Sequence, residues 1–156
     1  EITDGVAADR LWLEITETAM MRDVDRSLRT MHALRELGVH LAVDDFGTGW
    51  SSLAYLKQFP VEALKIDQSF VDGVCDDPDD AAIVEATVRL AGVIGLGTIA
   101  EGVETRAQAE ELRRMGCQLV QGFLYARPLD PAVFAQRWLP PVIEEPWAPV
   151  RHSANR

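Results

Sequence analysis

With 156 residues, 47% of them hydrophobic, the chain can bury one sizeable core and is not a disordered polymer. Its net charge of -10, from 15 basic and 25 acidic residues, argues against a surface that coats DNA or RNA, which wants a basic face. A small anionic ligand stays admissible, provided a metal ion supplies the positive charge.

Residues 1–10 carry no clear period and read as the tail of a helix passing through Gly5 into a loop. Leu11-Trp12-Leu13-Glu14-Ile15-Thr16 follows as a short apolar strand ending in an acidic residue. The three- and four-residue spacing of Val24, Leu28, Met31, Leu34 and Leu37 predicts a helix over 27–37, with Gly38 at the left-handed C-cap. A strand over 39–43 comes next and runs into Asp44-Asp45-Phe46-Gly47-Thr48-Gly49, a loop opened by two adjacent carboxylates. A shorter helix over 51–58 stops ahead of Pro60, and Ala63-Leu64-Lys65-Ile66-Asp67 is again a brief apolar strand with charge at its end. The longest helical pattern covers 79–94, before a strand over 97–101 that closes on Glu101. Thr105 and Gln108 form a T-x-x-Q capping box for a helix running to Met115, ended by Gly116. A strand over 117–120 finishes at Gln121-Gly122, and Asp130 and Pro131 read as N-cap and first position of a last helix through Trp138. The proline-rich tail, 139–156, shows little periodicity, which leaves 1–138 as the folded part.

Strand and helix thus alternate through about five strands, the signature of an α/β fold with a parallel sheet. In such a sheet all strand ends lie on one face, where active sites of α/β proteins sit. Glu14, Asp44, Asp45, Lys65, Asp67, Glu101 and Gln121 occupy those ends. Two carboxylates at a strand tip need a divalent cation, a basic partner or plain exposure to water. The polar candidates are oxygen donors without His or Cys, which suits Mg²⁺, Mn²⁺ or Ca²⁺ rather than zinc. Glu14, Asp44 and Asp45 could hold one or two such ions, with Asp44 placed to bridge. A two-ion clamp is a common solution for phosphodiester hydrolysis. Lys65 could orient a water or stabilise negative charge, or it could be a plain ion pair with a strand-end carboxylate. Glu101 could be a further ligand or a general base.

Other motifs fail on context. Asp45-Phe46-Gly47 matches the kinase D-F-G, but no H-R-D or A-P-E accompanies it. Gly92, Gly95 and Gly97 lie at a helix-to-strand turn, the wrong order for a dinucleotide fingerprint. His32, His40 and His152 read as structural. Cys75 and Cys117 are isolated, which argues against a disulfide framework or zinc site and makes a reducing cytosol the default. No apolar run reaches about 18 residues and no signal peptide is visible, so no membrane segment is expected in this chain. A cytoplasmic location is expected, including as the cytoplasmic part of a larger, membrane-attached protein.

Leu13-Glu14-Ile15-Thr16-Glu17, Asp44-Asp45-Phe46-Gly47-Thr48-Gly49, Lys65-Ile66-Asp67, Ala100-Glu101-Gly102-Val103-Glu104 and Gln121-Gly122-Phe123 resemble, in order and spacing, the EAL-domain family. The resemblance implies a TIM-type barrel that hydrolyses cyclic di-GMP to linear pGpG with Mg²⁺ or Mn²⁺. By motif, Glu14, Asp44 and Asp45 look like metal ligands, Lys65 like the residue touching the catalytic water, and Glu101 like a ligand or base. Gln121 looks like a water or substrate contact, and Glu17 like a brace for the loop over 44–52.

The Glu-Ala-Leu tripeptide that names the family does not occur here, nor do the nearby Arg that would touch phosphate and the Asn ligand from the family's third strand. The family barrel has eight strands and needs roughly 200 residues or more. The expectation is therefore a partial barrel, about five parallel β/α units, from a chain cut out of something longer. An unclosed sheet exposes an edge, so a second copy or the missing N-terminal half of the barrel is expected to cover it. The piece alone is expected to have weak or no activity. The alternative function is a non-catalytic EAL-like receptor or protein-interaction module in cyclic di-GMP signalling.

Overall fold

The computed structural model describes residues 6–47 and 53–138. Five parallel strands make one sheet in the order of the sequence: β1 Trp12–Thr16, β2 His40–Phe46, β3 Ala63–Ile66, β4 Gly97–Ala100 and β5 Leu119–Val120. Because spatial and sequence order coincide, each strand reaches its neighbour through a helical crossover. That is the wall of a (β/α) barrel rather than a doubly wound sheet. The crossovers hold α1 Glu17–Met21, α2 Val24–Glu36, α3 Leu53–Leu56, α4 Gln68–Asp72, α5 Pro78–Ile94 and α6 Arg106–Met115. The expected α/β partial barrel of five parallel units is what the chain forms.

β3, in the middle, is buried along its length. Alternation sends Leu64 and Ile66, both fully buried, toward the helices and leaves Ala63 and Lys65 on the other face. One apolar cluster joins Leu41, Val43 and Leu64 to Met20, Met31 and Ala91. A second joins Ile66, Ala100 and Val103 to Val71, Val84 and Leu112. Each of the larger side chains among these contributes about 1.5–3 kcal/mol by leaving water. The strand ends carrying the charged residues are thereby fixed from behind.

Several boundaries differ from those the sequence suggests, each for a local reason. β2 continues through Phe46, so Asp44 and Asp45 belong to the strand and not to a loop. The register against β3 shifts between Val43 and Phe46, and Asp45 takes a positive φ of 54° there. α2 starts at Val24 because Asp23 caps it, accepting from the Arg26 N–H at 3.0 Å. The strand expected over 117–120 shrinks to Leu119–Val120. The Cys117 N–H still bonds to Leu112 O, and that of Gln118 to Thr98 Oγ1. Short helices α1 and α4 follow β1 and β3 directly, capped by Thr16 and Asp67. Ala8–Arg10 is a single 3-10 turn, while the helix tail expected before it and the start of the 51–58 helix lie outside the described residues.

At the N-terminal ends of the strands, His40 stacks on Trp12 with ring centroids 4.8 Å apart. Its Nδ1 lies 2.8 Å from Glu62 Oε2 and its Nε2 3.0 Å from the Asp9 carbonyl oxygen. Arg35 also pairs with Glu62. His40 is structural. Both outer strands present apolar side chains to water, Trp12 and Leu13 on β1 and Leu119 on β5.

Compact packing divides the chain into Glu1–Tyr125, which holds the five strands, and Ala126–Arg156. In the second unit α7 spans Pro131–Trp138, and Asp130 accepts from the Ala132 N–H at 2.9 Å, as the Asp-Pro signal predicts. The proline-rich tail lies outside the described residues. No helix among the described residues is long and apolar enough to cross a membrane.

Candidate active site

Lys65 is the centre of the strand-end face. β3 projects it away from the helices, and its side chain is 3% exposed. Its Nζ lies 2.6 Å from Glu14 Oε2, 2.8 Å from Asp44 Oδ1 and 2.6 Å from Glu101 Oε1. Three strands thus deliver one carboxylate each to the ammonium of a fourth. Burial by itself would push the Lys65 ammonium to release its proton, but hydrogen bonds to Asp44, Glu101 and Glu14 outweigh it and hold the proton well above the ordinary lysine range.

One ammonium does not neutralise this site. Asp44, Asp45 and Glu101 each offer an oxygen, all within 4.8 Å of one another. Such an all-oxygen set fits Mg²⁺, Mn²⁺ or Ca²⁺. Asp45 carries the strain of the arrangement. Partial burial, then the charges of Asp44 and Asp67, raise its carboxyl above the usual carboxylate range, against the lowering effect of Lys65. Its left-handed φ turns the carboxyl into the acidic group, and a non-glycine residue accepts that conformation at a cost of roughly 1–3 kcal/mol.

The sequence placed Asp67 at a strand end without a role. Asp67 caps α4, accepting from the Ser69 N–H at 2.9 Å and the Ser69 hydroxyl at 2.5 Å, and it shares a hydrogen bond with Asp45. Ser69 is the first cause holding the Asp67 carboxyl below its usual range. The Asp-x-Ser spacing of an Asx turn was the available signal.

Of the residues predicted from sequence, Glu14, Asp44, Asp45, Lys65 and Glu101 converge. Glu14 approaches through Lys65 and stands outside the group of three oxygen donors. Gln121 follows β5 directly; its N–H bonds to Ala100 O at 2.8 Å and its side chain is exposed. Glu17 is 5% exposed beside Met20, Val43, Phe46 and Phe59, and its Oε2 has no hydrogen-bond partner among the described residues. The loop it was expected to brace is described only to Gly47.

The sequence pattern described as EAL domain matches residues 1–128. The chain is 52% identical over 119 residues to a bifunctional diguanylate cyclase/cyclic di-GMP phosphodiesterase, MucR, of Pseudomonas aeruginosa, covering 76% of this chain and 17% of MucR. It superposes on a solved complex of the PaMucR phosphodiesterase with c-di-GMP at a TM-score of 0.81 and 47% identity, over 85% of this chain and 54% of that one. A Klebsiella pneumoniae BlrP1 complex with manganese and cy-diGMP matches at a TM-score of 0.74 and 36% identity, over 81% of this chain and 32% of that one. The chain therefore spans about half of the solved phosphodiesterase and a sixth of its curated relative.

Proposed function

The chain belongs to the EAL domain family, and from that premise we propose that it supplies one wall of a site for divalent-metal-dependent hydrolysis of cyclic di-GMP to pGpG. The observation that carries this reading is Lys65, almost wholly buried and held by Glu14, Asp44 and Glu101 from three other strand ends. A structural ion pair needs one carboxylate. Three on one ammonium, with Asp45 beside them, leave net negative charge that a divalent cation would neutralise.

In this proposal Asp44, Asp45 and Glu101, with Glu14 from β1, would hold one or two Mg²⁺ or Mn²⁺ ions. The metal would supply charge neutralisation at phosphate and an activated water. Lys65 would orient that water and Glu101 would receive its proton. The water oxygen would bond to phosphorus as the P–O bond to one ribose 3′-oxygen breaks, and that oxygen would take up a proton as linear pGpG leaves. Gln121, exposed at the end of β5, contacts substrate or water. Glu17, with its unsatisfied buried oxygen, is the proposed brace for the loop over 44–52, of which 48–52 lie outside the described residues. The EAL part runs over 1–138 and a proline-rich tail over 139–156, and the protein works in the cytoplasm.

Among the described residues the five-stranded sheet is open at β1 and β5, so its wall faces the site from one side only. The rest of an EAL barrel, or a second copy, is the partner that closes it. The chain alone therefore turns over weakly or not at all, while retaining metal-dependent affinity for the nucleotide. Incubation with cyclic di-GMP and Mn²⁺, with pGpG followed by chromatography and binding by calorimetry, tests both parts. Binding that needs metal and is lost in Lys65→Ala supports the proposal. Metal-independent binding that Lys65→Ala leaves intact points instead to a non-catalytic receptor module.

A further inference from the structure

Glu101 lies just past β4, and its backbone is fixed from three sides. Its own N–H donates to Ile66 O at 3.1 Å. Two residues on, Val103 is fully buried, donates its N–H to Gln121 O at 3.0 Å and accepts from the Leu124 N–H at 3.0 Å. Then the Gln108 side chain accepts from the Glu104 and Thr105 N–H groups, both at 2.9 Å, and donates to Val71 O at 3.3 Å. The turn over 121–124 thus grips the Val103 peptide from both of its polar sides.

That grip depends on a missing atom. A Cβ on Gly122 would lie 2.2 Å from Val103 O, 2.3 Å from Val103 N and 2.7 Å from Val103 C. All three are backbone atoms and cannot swing away. The φ of Gly122 is not in the left-handed region, so glycine is required here for the close approach alone.

We infer that Gly122 is a positioning residue for Glu101: its bare backbone seats the 121–124 turn on the Val103 peptide, setting where the Glu101 carboxylate stands against Lys65, Asp44 and Asp45. The same turn carries Gln121, so one backbone contact aligns two strand-end groups. The inference rests on the proposed role of Glu101 in the metal site, and the test separates the two.

Mn²⁺ binding to the whole chain is followed by electron paramagnetic resonance, and backbone amide exchange is followed by NMR. Gly116→Ala is the matched control. Gly116 has a left-handed φ of 91° at the end of α6, and a Cβ there meets only Val88 Cγ1 at 3.7 Å, so it destabilises without touching 101–103. Gly122→Ala is expected to weaken Mn²⁺ binding about tenfold or more and to speed Glu101 amide exchange by at least about tenfold, with Gly116→Ala changing neither beyond its effect on global stability. Equal effects of the two variants, or unchanged Mn²⁺ affinity in Gly122→Ala, overturn the inference. If the unsubstituted chain binds no Mn²⁺, or Asp44→Asn binds it as well, the reading of the metal site fails by itself, and the Glu101 exchange rates still decide the positioning role. If Gly122→Ala does not fold, exchange in the unsubstituted chain decides: the amides of Glu101, Val103, Gln121 and Leu124 should open as one unit, and independent opening sinks the idea.

Discussion

The Asp45 carboxyl shares a hydrogen bond with the Asp67 carboxyl, an acid paired with an acid where a base would be expected. Ser69 holds Asp67 below its usual range while Asp45 is raised above it, so of the two Asp45 takes up a proton first as pH falls. Folded Asp45 holds its proton to higher pH than it does in the unfolded chain. It therefore detracts from stability above the unfolded carboxylate range, and that penalty fades as pH falls. Asp45→Asn removes it, and Asn tolerates a positive φ. In the presence of a chelator the variant should melt higher than the unsubstituted chain. An equal or lower melting temperature contradicts the strain described for Asp45.

The same substitution should blunt the response to metal. Mn²⁺ at about 100 times its dissociation constant stabilises a folded protein by about 2.7 kcal/mol. Differential scanning fluorimetry with and without Mn²⁺ should show that upward shift in the unsubstituted chain and little of it in Asp45→Asn, Asp44→Asn or Glu101→Gln. A full shift in all three would remove the cluster from consideration as the metal site.

Lys65→Met keeps the length of the side chain and deletes the charge that three carboxylates surround. Breaking a buried pair costs about 3–5 kcal/mol, and because Glu14 is 47% exposed the lower end applies. Urea unfolding at neutral pH measures it. The pH dependence has a definite sign. Lys65 gains proton affinity on folding, so its contribution is complete below the unfolded lysine value and disappears only as pH rises through the higher folded one. Between those two values the unsubstituted chain should lose its advantage over Lys65→Met step by step. A constant gap across that alkaline window would mean that the ammonium is not what the carboxylates stabilise.

The two cysteines differ in access. Cys75 is exposed and Cys117 buried. Burial raises both thiols, and for Cys75 the neighbouring charges of Asp76 and Glu111 add to it. Iodoacetamide should label Cys75 alone in the native protein, slowly at neutral pH and faster as pH climbs past the ordinary thiol range, with Cys117 reacting only on unfolding. Mass spectrometry of the labelled peptides reads this directly, and native labelling of Cys117 would contradict the packing around α6.

The strand ends were legible in the sequence because most apolar runs stop on a charged residue, and a parallel sheet gathers those ends on one face. Glu14, Asp44, Asp45, Lys65 and Glu101 followed from that rule alone. Helices α1 and α4, five residues each, are too short to show a helical period and announce themselves only through Thr16 and Asp67 as caps. β2 outran its expected end because an Asp-Asp pair reads as a loop in sequence, whereas β1 still pairs with Asp44 and β3 pairs again at Phe46 beyond a register shift. The roles of Asp67 beside Asp45 and of Gly122 beside Val103 were passed over for a common reason. Their work consists of contacts between neighbouring strand ends, and residue type reveals such contacts poorly.

Lys65 has one more consequence. A group of carboxylates that met only around a metal would repel one another until the metal arrived, and the surrounding strand ends would stay splayed. Here an internal cation, tethered by β3, already draws Glu14, Asp44 and Glu101 inward as the chain folds. On the proposed metal reading the lysine would stand in for the ion during folding, so that an arriving ion would find its oxygens already in place.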